Sequence, residues 1–212
     1  TIFDEYRNIS IDDERYRVIN LVEYLLKNPE TKALFLVHAK ENETRFGNVV
    51  GYLQGVKKYI SDRNFDLNRI DFKIVKGKER FTKEIWILEK GEKFPPFERL
   101  NYNFDNLTVN YLYASACLIC EPPYEEFSPS QIDFNHLSQI IKRNCNYKIL
   151  LELGEKSAYS DFHEKNMFNP KEYVNKIKNL LLKKYKIDKK NFDYEIVKNS
   201  EEVNFYIIPK KK

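Results

Sequence analysis

The chain has 212 residues, a formal net charge of +4, 42% hydrophobic and 32% charged residues, a balance that excludes a disordered chain and fits a folded globular one. No apolar run approaches the roughly 18–20 residues of a helical membrane span. Three cysteines are too few for a disulfide framework, and six glycines leave little room for phosphate-cradling loops.

In chain order, Asp12 or Asp13 can cap a first helix whose apolar stripe is Val18, Ile19, Val22, Leu25 and Leu26, ended by Pro29. Ala33 to Val37 suits a buried strand. A second helix carries Val49, Tyr52, Leu53, Val56, Tyr59 and Ile60 on one face. Ile70 to Lys76 and Phe81 to Leu88, joined through Gly77, read as a closing hairpin, and Glu92 to Asn106, with Pro95 and Pro96, reads as a linker. Beyond it come a strand over Leu107 to Ala116, a long connection over Cys117 to Ser130, and a helix carrying Phe134, Leu137, Ile140 and Ile141. A further helix spans Pro170 to Lys186. Its lysines, with Lys189 and Lys190 beyond, oppose the apolar stripe of Tyr173, Val174, Ile177, Leu180 and Leu181, which is a solvated face rather than a nucleic-acid groove.

The two halves repeat one another. Phe65 to Lys76 aligns with Ile187 to Lys198 at an offset of 122, matching Asp66 with Asp188 and Asp71 with Asp193. Ile85 to Leu88 aligns with Phe205 to Ile208 at 120, and Lys32 to Phe35 with Lys148 to Leu151 at 116. The offsets change where loops fall, as in diverged duplicates. The expected fold is therefore α/β (α+β): two tandem copies of a β-α-β-α-β-β unit, each a mixed sheet with two helices on one face. The first copy spans 1–91, the linker 92–106 and the second copy 107–212.

The order of elements, with Val56-Lys57-Lys58-Tyr59-Ile60 followed by Phe65-Asp66-Leu67-Asn68-Arg69-Ile70, resembles the C-terminal domain of the OmpA family, whose stretch reads V-x-x-Y-L … G-[IV]-x-x-x-R-I. The opening Phe3-Asp4-Glu5-Tyr6 and the later Glu84-Ile85-Trp86-Ile87 are similar to uncharacterised bacterial envelope proteins that begin F-D-E-Y-G and end E-L-W-I-V. The resemblance implies binding of peptidoglycan, in which an Asp after the second strand and an Arg on the second helix grip the diamino acid of the peptide stem. By position the Asp falls at Lys40 and Lys156, and the Arg at Tyr52 and Tyr173. A cation and a phenol cannot replace that oppositely charged fork, so peptidoglycan is not the expected ligand. Glu41 and Glu155 lie one place away, but no Arg accompanies them.

No catalytic constellation is legible: there is no nucleophile elbow, P-loop, H-E-x-x-H or dinucleotide fingerprint, and no cofactor is implied. His38, His136 and His163 sit on distant segments, and Asp161, His163 and Glu164 are too close in sequence to converge on a metal. Cys117-Leu118-Ile119-Cys120 is followed by Pro122 and Pro123, which preclude a thioredoxin-type helix start. One disulfide among Cys117, Cys120 and Cys145, with one thiol left over, suits an oxidising compartment. The chain opens on Thr1, which we read as a removed leader or a trimmed start. Ile85 to Leu88 and Phe205 to Ile208 are apolar without alternation, so Trp86 and Tyr206 are candidates for faces buried between the copies or by another subunit. The expectation is a non-enzymatic structural or protein-interaction subunit of a bacterial envelope assembly. It would be periplasmic or on the extracellular face of the outer membrane, with other protein subunits as partners. The alternative is a wall- or small-ligand-binding module of altered specificity.

Overall fold

Ser10 starts the first helix, where the sequence pointed to Asp12 or Asp13. Its hydroxyl accepts from the Asp13 N–H at 3.1 Å, and the acidic residues fall in the first turn, at the positive end of the helix dipole. The computed structural model describes residues 1–7, 9–40, 45–77, 82–100, 104, 107–117, 132–155, 170–198, 200 and 202–210. The chain divides into two units, residues 1–44 with 51–102, and residues 45–50 with 103–212.

The first unit runs β1 (Ile2–Tyr6), α1 (Ile11–Lys27), β2 (Lys32–Ala39), α2 (Phe46–Ser61, from Gly51 onward), β3 (Ile70–Lys76) and β4 (Lys83–Leu88). The second runs β5 (Tyr111–Cys117), α3 (Phe134–Arg143), β6 (Tyr147–Gly154), α4 (Pro170–Asn179), β7 (Phe192–Val197) and β8 (Glu202–Pro209). The strand orders are β1-β4-β2-β3 and β5-β8-β6-β7, the same arrangement twice. Each sheet is mixed: β2 with β3 and β6 with β7 are parallel, and the other pairs are antiparallel.

The expected closing hairpin does not form. β4 pairs with β1 and β2, and β3 lies on the far side of β2. The helical crossover through α2 sets β3 parallel to β2. β2 is buried on both faces from Ala33 to Val37, and that takes the centre of the sheet, leaving β3 at an edge.

The likeness extends to backbone detail. Each sheet carries one register shift at the same point, between Ile2 and Asp4 in β1 and between Leu112 and Ala114 in β5. Asp66 and Asp188 each cap a short 3-10 turn, accepting from the N–H of Asn68 and Lys190. Asn64 and Lys186, two residues earlier, both take a left-handed conformation, with φ of 59° and 55°.

The helices cover one face of each sheet. In the first unit Phe35 packs on Tyr52 of α2, and Arg17 of α1 reaches Asp4 of β1. In the second, Phe134 of α3 meets Phe205 edge-on, and Val174, Ile177 and Leu181 join the same core as Ile149, Leu151 and Leu153. The second unit also holds the first turn of α2. There Asn48 pairs both backbone groups of Ser115, donating to its carbonyl at 2.8 Å and accepting its N–H at 3.0 Å.

Part of the stretch expected as a linker docks on the first unit. Lys76 N–H donates to Glu98 O (2.8 Å), Leu100 N–H to Ile74 O (3.3 Å), and Val75 bridges Arg99 in the antiparallel sense. Phe97 then packs on the helix-free face against a cluster of Leu34, Leu36, Val75 and Leu88.

Candidate functional site

Tyr52, at the position where the resemblance implies a ligand-gripping cation, faces inward. Its hydroxyl donates to Glu14 Oε1 on α1. Lys83 of β4 places its Nζ 5.0 Å from the Tyr52 ring centroid and 5.7 Å from that of Tyr6. The register explains why a lysine is there: Lys83 pairs with Val37 and Tyr6 and is in phase with Ile85 and Ile87, so alternation carries it onto the buried face, where it is only 4% exposed. Arg17 flanks the other side of Tyr6, 5.0 Å from its ring, and grips both oxygens of Asp4 at 2.5 and 2.6 Å.

Burial above all, then the neighbouring Tyr6 and Glu14, holds the Tyr52 hydroxyl well above the ordinary phenol range. Burial and the Glu14 charge do the same to Tyr6. Tyr52 is thus a neutral donor to a carboxylate, and Lys83 sets its cation against two aromatic faces. Within this buried cluster the Tyr52 hydroxyl is satisfied by Glu14, whereas the Tyr6 hydroxyl is buried without a hydrogen-bond partner among the described residues. Lys40 lies just past the end of β2 and is half-buried.

The second unit does not repeat the cluster. Val203 pairs with Leu153 as Lys83 pairs with Val37, so an apolar residue replaces the cation. Tyr173 packs against the second core, and burial raises its hydroxyl. Lys156 lies outside the described residues, as do Glu41, Asp161, His163 and Glu164.

Trp86 is half-buried beside Leu34, Leu36, Val75 and Leu88, in the cluster that Phe97 also joins, and its indole N–H donates to Glu84 at 2.9 Å. The other oxygen of Glu84 lies 3.0 Å from His38 Nε2. Tyr206 is half-buried in the second sheet, paired with Leu150 and Leu112. Its neighbour in phase, Asn204, donates to Glu152 and Glu202. Cys145 is an exposed free thiol; the Cys117 side chain and all of Cys120, its candidate partners, lie outside the described residues.

His136 belongs to an aromatic cluster of the second unit. Its Nδ1 is 2.8 Å from the Tyr113 hydroxyl, its ring stacks on Tyr113, and Phe46 and Phe104 stand 5.2 and 6.4 Å away. Burial lowers its pKa, and Asp133 opposes that shift. A Cβ at Gly47 would stand 2.8 Å from the Tyr113 carbonyl oxygen and closer still to its ring, so only glycine fits there.

Sequence reasoning missed Glu14, Tyr6 and Lys83. The signal for Lys83 was present, since a lysine in phase with two isoleucines of a strand is on the buried face. Among the described residues no group of three or more His, Cys, Asp or Glu is placed to hold a metal ion, and no helix is long and apolar enough to cross a membrane. Compared with known proteins, the sequence matches no family model and no curated protein.

Proposed function

We propose that this chain is a non-catalytic structural or protein-interaction subunit of an extracytoplasmic bacterial assembly, held in the periplasm or at the extracellular face of the outer membrane. One observation carries the reading. The place where an OmpA-like domain would grip its ligand is filled from inside by Tyr52, bonded to Glu14 and flanked by Lys83. A buried phenol committed to an internal carboxylate has no donor or charge left for an external fork. The envelope location rests on the resemblance in sequence.

Co-sedimentation with purified peptidoglycan at about 0.15 M salt, where weak surface attraction is largely screened, tests the reading. The expected result is no sedimentation above background. Saturable binding competed by free diaminopimelate would overturn it in favour of a wall-binding module.

A further inference from the structure

The edge strands β3 and β7 occupy the same place in their sheets but are treated differently. β3 is joined by residues 98–100, which bond the outward backbone groups of Ile74 and Lys76. Among the described residues nothing pairs with the outer edge of β7. The two side chains of β7 that correspond to half-buried Phe72 and Ile74 are exposed, Tyr194 at 48% and Ile196 at 37%. A groove of about 800 Å³ lies against this edge, lined by Leu150, Phe192 and Tyr194 and otherwise by charged side chains, Lys178 and Glu195 among them. An exposed strand edge that alternates apolar and charged side chains, with backbone donors and acceptors unpaired among the described residues, is a template for a further strand.

We propose that β7 is a docking edge that takes an extended segment of a partner protein as an added antiparallel strand, as β3 takes residues 98–100. The first unit supplies the register: Glu98 pairs with Lys76, Arg99 lies opposite Val75, and Leu100 stands beside Ile74. Carried to β7, an acidic residue of the partner faces Lys198, any residue faces Val197, and an apolar one faces Ile196. The next position faces Glu195, which lies beside Glu152 in register and has no ion pair among the described residues, whereas Asp193 is paired with Lys148. That position takes Lys or Arg, and the one after it, facing Tyr194, is apolar. The segment therefore reads acidic, any, apolar, basic, apolar. A second copy of β7 fits worse: two-fold pairing centred on Tyr194 or Glu195 sets carboxylates opposite one another or leaves them uncompensated.

This rests on the interaction-subunit reading, and the test separates the two. A random decapeptide display library is selected on the full chain, and the winning synthetic peptides are titrated against wild type, Glu195→Lys and Ile196→Pro. The expected winners share the alternating pattern and bind saturably, with affinity weakened about tenfold or more by either change. Glu195→Lys is an exposed substitution that keeps the fold if the proline variant does not. No enriched peptide, or peptides that bind both variants as tightly as wild type, would overturn the proposal. So would concentration-dependent dimerisation abolished by Glu195→Lys, which assigns the edge to a second copy. Envelope proteins that co-purify equally with wild type and Glu195→Lys would leave the interaction-subunit reading standing and remove the edge from it.

Discussion

Tyr52 and Glu14 bond across α1 and α2, and the cost of separating them measures what that buried bond contributes to the fold. Tyr52→Phe leaves the ring in place and removes only the donor, so it is expected to lower unfolding free energy by about 1 kcal/mol in a denaturant titration. An unchanged midpoint would mean the bond contributes nothing. His136 gives a pH-dependent counterpart. Above pH 6.5 its ring is neutral in both folded and unfolded chains. Below that, the unfolded chain takes up the proton first because burial lowers the folded-state value, so stability falls with pH until the folded ring also protonates. His136→Gln is expected to flatten the stability curve below about pH 6.5; an identical slope in the variant would remove His136 as its source. Neither partnership was legible in the sequence. Glu14 is one of three successive acids in a first turn, and His136 sits beside Leu137 on a helix, with nothing in either stretch to name a partner from another element.

At the scale of elements, the matched left-handed residues make a sharp comparison. Asn tolerates that conformation through local hydrogen bonding, whereas Lys carries the full steric cost of a Cβ. Lys186→Gly is expected to raise stability by about 1 kcal/mol, and Asn64→Gly to change it by less; equal effects at the two sites would contradict this. Arg69 ties the end of α1, its Nη2 donating to the carbonyls of Leu25, Asn28 and Thr31 at 2.8–2.9 Å. Arg69→Ala is expected to cost about 2–3 kcal/mol by thermal or chemical unfolding. The corresponding residue is Asn191, and in the second unit Lys210 bonds Cys145 O instead. The helices and most strands were legible because periods of 3.6 and 2 are written in Val18 to Leu25, Val49 to Ile60 and Ile70 to Lys76. Strand order was not. Alternation says which face a strand buries, not which neighbour it takes, and so β3 and β4 read as a hairpin although β2 lies between them. Likewise nothing in Glu92 to Asn106 announced that Phe97 would cover a sheet face.

For the whole molecule, duplication and divergence point the same way. One architecture is written twice with matched caps, turns and bulges, while the buried Tyr–Glu–Lys cluster is confined to the first unit and, among the described residues, the unpaired strand edge to the second. The position where the resemblance implies a ligand grip holds Tyr52 with Glu14 and Lys83 in the first unit, and Tyr173 and Val203 take the corresponding places in the second. The most direct measurement is recovery of the tagged full chain from the envelope of its native cell after mild cross-linking, with quantitative identification of what it carries. Reproducible protein partners in near-stoichiometric amount are expected. A chain recovered as a partner-free monomer, carrying a bound wall fragment or small ligand instead, would contradict it.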